Sequence, residues 1–212
     1  MGSHLQIYMN PYFWEFQSNM LASYLGIYFL ATFTAFLVVP QLVKFYEKRT
    51  ILLTAIALAA LIPPIPLLLF INGYLPAPGT WNLFFATISF VYIANSSLSA
   101  SAIIRESMLG DISDEVELET HLGQQGLMYA SSSLIGKLNT GLGILMAGLA
   151  LEFIGFPQGS QVTPSADHIF NLAMVQGPLV ALLMIIPFVI FSMYKIDRFK
   201  HHEIITELEN RS

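Results

Sequence analysis

The run "MYASSSLIGKLNTGLGILMAGLALEFIGF", residues 128–156, is apolar or small nearly throughout, yet it carries Lys137. Tyr129, Ser133 and Lys137 stand at i, i+4 and i+8, and Thr140 and Gly141 continue the line. On a helix that spacing draws one polar stripe along an apolar rod. A lysine at the centre of a membrane helix costs roughly 2.5–3.5 kcal/mol on insertion scales. A charge kept there either works in a substrate or ion pathway or pairs with another helix and serves assembly. Lys137 lies too deep in the run for its ammonium to reach the nearer surface easily.

Other candidate groups are weaker. Asp111 and Asp114 could hold a divalent cation, but no oxygen-ligand loop is legible around them, and a solvated acidic loop is the plainer reading. His4, His121, His168, His201 and His202 all fall in loops or tails. No His, Asp or Ser cluster suggests an enzyme. There is no cysteine, hence no thiolate metal site, and no basic patch for nucleic acid.

The elements that position Lys137 follow from composition. Of 212 residues 55% are hydrophobic and only 11% charged, against about a quarter charged in soluble domains. The fold class expected is therefore all-α integral membrane. Five runs are long enough to cross a bilayer core, which takes roughly 20 helical residues: 20–42, 51–71, 81–104, 127–155 and 169–194. "IPPIP", residues 62–66, should kink the second run without ending it. Tyr24, Tyr28 and Thr32 in the first run, and Tyr92, Asn95, Ser96 and Ser99 in the third, form polar sides suited to bonds across helix contacts or to water.

Apart from Lys137, every Lys and Arg falls on one side of these runs: Lys44, Lys48, Arg49, Arg105, Lys195, Arg198, Lys200 and Arg211. The positive-inside rule makes that side cytoplasmic. The chain then begins outside, ends inside, and belongs in the cell membrane as a multi-pass protein. Residues 1–19 have no basic n-region or long apolar core, so they are no signal peptide. Tyr8, Tyr12, Phe13, Trp14 and Phe16 suit an interfacial aromatic belt. This segment reads as the extracytoplasmic end of a helix whose upstream part is missing, with a tag remnant in "MGSH" as the other reading. Residues 195–212 place Ile196, Phe199, Ile204, Ile205 and Leu208 on or near one helical face, with Lys195, Arg198 and Lys200 ready to meet anionic lipid. The spacing predicts an amphipathic cytoplasmic tail.

One segment resembles a known family. Met108-Leu109, Asp111-x-x-Asp114, Glu115, Glu117-Leu118-Glu119-Thr120 and Gly126 follow the order found between helices ten and eleven of the glycoside-pentoside-hexuronide:cation symporters. These are the melibiose-permease-like branch of the major facilitator superfamily. Lys137 falls where that family has a lysine in helix eleven. "LQIYMNPYFWEF" and the tail are similar as well. The resemblance implies a major-facilitator-type bundle, C-terminal half only, with the five spans as helices eight to twelve. It implies sugar or glycoside uptake coupled to Na⁺ or H⁺ by alternating access, with no cofactor beyond the coupling ion. Lys137, Ser133, Ser132 and Tyr129 would face substrate and cation, and Asp111 and Asp114 a cytoplasmic gate. The partners implied are the bilayer, the sugar, the cation and the missing N-terminal half, without which this chain should not transport. One departure stands out. Where the family has Gly, a basic residue and Glu, this chain reads "HLGQQ". The arginine that would balance Asp111 and Asp114 is absent; either the gate closes loosely or Arg105 substitutes. Two other classes stay open, a membrane subunit of a proton-pumping redox complex and a non-transporting membrane scaffold.

Overall fold

The computed structural model describes residues 1–157, 164–194 and 206. Among them every regular element is helical. A short helix α1 (Gly2–Tyr8) runs into a π-helical turn at Met9–Phe13, where Pro11 lacks the N–H that a regular ladder needs. Then come α2 (Ser18–Phe45), α3 (Lys48–Leu61), α4 (Pro64–Ile71), α5 (Trp81–Thr120) and α6 (Gln125–Phe153). The final helix is broken: α7 (Ala166–Met174), a second π-helical turn at Val175–Leu179 holding Pro178, α8 (Val180–Leu183) and α9 (Ile185–Ser192).

Five helical stretches are long and apolar enough to cross a membrane: Ser18–Phe45, Lys48–Ile71, Trp81–Thr120, Gln125–Phe153 and Ala166–Ser192. Each contains one of the five runs or most of it. Within the second, Ile62 and Pro63 keep helical dihedrals between α3 and α4, so the prolines kink the rod and do not end it. The predicted tail, 195–212, lies outside the described residues apart from Thr206.

The acidic stretch after the third run is a correction. It is not a loop: α5 continues without a break for 40 residues and stops only at His121, which takes a left-handed φ of 58°. At 1.5 Å per residue that is about 60 Å, twice the hydrocarbon thickness. The physical reason is that Glu, Leu and Met are good helix formers, and charge ends a membrane span but not a helix.

Residues 1–16 also differ from a surface belt. Leu5, Met9, Phe13, Trp14 and Phe16 are buried, packing with Tyr24, Phe84 and Leu172 in the larger core. The rings interlock edge to face, with Phe13 and Trp14 both meeting Phe70 at centroid distances of 5.3 and 5.6 Å. Tyr8 and Tyr12 stay exposed and meet Phe156 edge-on. Aromatic content suggested an interface; burial follows because α1 packs against α6 and the last helix. The loop between α4 and α5 is tied down here as well, its Gly79 N–H donating to Trp14 O at 2.9 Å with φ at +72°, a conformation that favours glycine.

A smaller core at the other end joins Val39, Ile51, Leu52, Ile56, Ile104 and Met108. Helix α5 is the central element, packed against both α2 and α3. In contrast, only 11% of the most apolar window of α6 is buried, and 6% of that in the last helix, so both offer most of their surface to something outside this chain.

Gly177 sits in the second π-helical turn where a Cβ would lie 2.9 Å from Leu67 Cδ2. Alanine there is expected to be absorbed by rotation of the Leu67 side chain. Gly177→Leu should overpack and cost about 1–3 kcal/mol, read as a lowered unfolding midpoint. Adding Leu67→Ala should restore most of the loss, and failure to do so would mean that the contact is not what limits the site.

Candidate functional site

Helix α6 puts Tyr129, Ser133, Lys137 and Thr140 on one face, as the spacing requires. Tyr129, Ser133 and Lys137 are exposed and Ser132 is half-buried. Lys137 makes no hydrogen bond or ion pair among the described residues. The Ser131 and Thr140 hydroxyls turn back onto their own helix, donating to Leu127 O and Gly136 O at 2.8 and 3.0 Å. Tyr129 reaches across to α5, where its hydroxyl lies 3.3 Å from where a Cβ on Gly110 would stand. The stripe therefore meets the next cluster one residue before Asp111.

Asp111 is buried, and its carboxylate accepts from Lys48 Nζ at both oxygens, 2.7 and 2.8 Å. The Tyr194 hydroxyl donates to Oδ2 at 3.4 Å. Asp114 follows one turn later and is half-buried. Arg105 does not take the place of the absent arginine: it is half-exposed, and its Nε lies 3.8 Å from Glu106. Among the described residues the cation on Asp111 is Lys48, at the start of α3. Sequence reasoning counted Lys48 only as a topological charge, and nothing in a 63-residue separation signals the pair. The acidic and basic residues meet because α3 and α5 pack along each other.

The polar sides of the first and third spans largely face one another. Thr32 and Ser99 hydroxyls are 3.1 Å apart, and the Tyr92 hydroxyl donates to Thr34 Oγ1 at 2.7 Å. Tyr24 interacts with Thr87 and Tyr28 with Asn95 across the same contact. In an apolar solvent such bonds hold two helices in register, each worth about 0.6 kcal/mol or somewhat more.

A third grouping was not foreseen. Gln176 Nε2 donates to Gln6 Oε1 at 2.9 Å, and Gln6 Nε2 donates to Asn10 Oδ1 at 2.6 Å. Gln176 Oε1 is buried and has no hydrogen-bond partner among the described residues. These carboxamides line a cavity of about 670 Å³ between α1, α2, the kinked second span, α5 and the last helix. No residue of α6 lines it. In the sequence, Gln6 and Asn10 sit in a segment read as surface, and Gln176 is one amide in an apolar run. The i, i+4 spacing of Gln6 and Asn10 was the one available signal.

Among the described residues no three His, Asp or Glu side chains gather as a metal site would require. The arrangement offers one cation on an open apolar surface, one buried ion pair and an uncharged, hydrogen-bonding cavity.

Residues 1–198 match the family model described as MFS/sugar transport protein. A Synechocystis protein named as an uncharacterized symporter is 28% identical over 142 residues, 65% of this chain and 26% of that protein. The match thus spans about a quarter of that relative's length. No solved structure matches. An all-helical multi-pass membrane protein with five candidate spans and this match over nearly its whole length belongs to the MFS/sugar transport family.

Proposed function

We propose that this chain forms the C-terminal half of a secondary active transporter that couples sugar or glycoside uptake to Na⁺ or H⁺ by alternating access. The observation that carries it is Lys137: an ammonium in the middle of an apolar 29-residue helix, exposed and without a partner among the described residues. A helix left so bare makes sense against a second half whose carboxylates complete the site. Ser132, Ser133 and Tyr129 flank Lys137 on the substrate side, and Asp111 with Asp114 belong to the cytoplasmic gate. The fact that the relative is much longer than this match also supports a missing half. Vesicles holding the intact transporter under an imposed Na⁺ or proton gradient test the coupling. Sugar accumulation should collapse when that gradient is dissipated; accumulation indifferent to both gradients sinks the reading.

The same proposal fixes sidedness in the cell membrane. Lys44, Lys48, Arg49 and Arg105 lie on the cytoplasmic side, with the C-terminus. The turn after α4 lies outside. The chain has no native cysteine, so Tyr74→Cys, at an exposed position, should react with an impermeant maleimide from the outside only. Glu47→Cys should react only from the inside. Reversal of these two patterns would overturn the orientation.

A further inference from the structure

We propose that the arm of α5 beyond the membrane span, through Asp114, Glu115 and Leu118, is the docking surface for the chain's own tail, residues 195–212. The partner is thus protein, where the amphipathic spacing of the tail pointed to lipid. The proposal does not rest on the transport reading.

The first support is where the neighbours of α5 stop. Ile104, Met108, Asp111, Asp114, Glu115 and Leu118 recur at helical spacing on one face of α5. The first part of that face packs into the smaller core with Ile51 and Leu52 of α3, and Phe191 and Tyr194 pack against it. But α3 begins at Lys48, which meets Asp111, and α9 ends at Ser192. Past that level α5 continues to Thr120, about 14 Å beyond Asp111. Asp114, Glu115 and Leu118 are nonetheless half-buried.

The second is where the chain goes next. Tyr194 directly precedes the tail, and it is held on this face. Its hydroxyl donates to Asp111 Oδ2 at 3.4 Å, and the Arg49 guanidinium donates to Ser192 O two residues earlier. Burial raises the pKa of the Tyr194 hydroxyl, and the carboxylates of Asp111 and Glu115 raise it further, so Glu115 lies within electrostatic reach of Tyr194. Arg198 is four residues beyond Tyr194, a reach of at most about 14 Å, and Glu115 stands about 6 Å along the helix from Asp111. The tail therefore starts at the surface it is proposed to occupy.

The third is complementarity. Between Asp111 and Glu119 the arm carries Asp111, Asp114, Glu115, Glu117 and Glu119 and no Lys or Arg. The tail opens with Lys195, Arg198 and Lys200 against Asp197 alone, with Ile196 and Phe199 as apolar partners for Leu118. Thr206, the tail residue that the structure describes, is helical. Exposed ion pairs are individually weak, but a segment tethered at Tyr194 binds intramolecularly, so modest contacts suffice. Lipid is the poorer partner. Over its whole length the tail sets Lys195, Arg198, Lys200 and Arg211 against Asp197, Glu203, Glu207 and Glu209, which leaves no net positive charge for an anionic surface. Docked in this way, the tail ties the last helix to α5 at the level of the Lys48–Asp111 pair.

The test uses the 212-residue chain in nanodiscs of phosphatidylcholine, with and without phosphatidylglycerol. The chain has no native cysteine. Glu115→Cys with Arg198→Cys should form a disulfide under mild oxidation, and Thr120→Cys with Arg198→Cys, on another face of the same helix, should not. Amide exchange across residues 195–209 should be slowed to the same extent in both lipids. Glu115→Lys should speed it several-fold. Arg198→Glu alone, which changes nothing in α5, should do the same, and the two together should recover most of the protection. Slowing that requires phosphatidylglycerol and ignores Glu115→Lys would put the tail on lipid and overturn the proposal. So would fast exchange in both lipids with no disulfide at Glu115→Cys.

Discussion

In the intact transporter, Lys137→Met is expected to abolish uphill sugar accumulation while leaving the amount of inserted protein unchanged or higher. Insertion should not suffer, because removing a charge from the middle of α6 lifts a penalty of roughly 2.5–3.5 kcal/mol. Accumulation should fail because a carboxylate in the other half would lose its counter-charge. An uncompensated buried charge is worth about 3–5 kcal/mol, a hundredfold or more in the population of the competent state. That carboxylate would then hold a proton more tightly, and its choice between proton and cation would shift. Lys137→Arg keeps the charge but replaces a compact ammonium with a planar fork, so a partial defect is expected. If Lys137 serves assembly alone, the Met variant instead inserts poorly, and the molecules that do assemble transport at the parental rate. Accumulation per inserted molecule, measured beside surface-exposed protein, separates the two; parental accumulation by Lys137→Met would falsify the coupling role.

The second large effect concerns the pair at the far end of α5. Lys48→Met should destabilise the chain by about 1–3 kcal/mol, since the buried Asp111 carboxylate loses the ammonium that meets both its oxygens and keeps the Tyr194 hydroxyl at 3.4 Å. Asp111→Asn should cost less, because Lys48 is partly exposed and can turn to water. The double variant Lys48→Met with Asp111→Leu should be more stable than Lys48→Met alone, as an apolar pair carries no desolvation debt. A double-mutant cycle on unfolding midpoints in lipid measures the coupling. Simple additivity of the single effects would show that the two side chains do not depend on each other. Labelling of Ser107→Cys, exposed on the same helix, should speed up in Lys48→Met as this end loosens.

What could be read in the sequence was whatever a one-dimensional pattern records. The five spans were legible because apolar run length measures membrane thickness. The stripe through Tyr129, Ser133 and Lys137 was legible because helix spacing fixes a face. The end of α5 was not, since hydropathy marks where a span leaves lipid and not where hydrogen bonding stops. Lys48 escaped for another reason: its role depends on how α3 packs on α5, which no local pattern encodes. Arg105 looked closer to Asp111 along the chain, but it points to Glu106 from an exposed face. The carboxamide cluster was hidden by treating residues 1–16 as surface, when Leu5, Met9 and Trp14 place them in the core. A redox-pump subunit would want several intramembrane Lys and Glu in series, and Lys137 stands alone in the middle of its span. The family match, with the Synechocystis protein named as an uncharacterized symporter, favours a transporter.

The unbroken course of α5 makes it a lever. Asn95, beside the carboxamide cavity, and Asp111, in the ion pair, lie on one stiff rod about 24 Å apart. No proline lies between them and the helix is continuous, so part of a tilt started at one end is carried to the other. A tilt of about 10° over that arm would carry Asp111 by ~4 Å, more than the 2.7 Å that joins it to Lys48. Movement near Asn95 would then shift Asp111 along the same coordinate. If Asp111 belongs to the gate proposed above, its ion pair with Lys48 would be a latch at the end of the long arm. Loosening at Ser107 in Lys48→Met should therefore be accompanied by altered packing around Asn95, and independence of the two ends would disprove the lever.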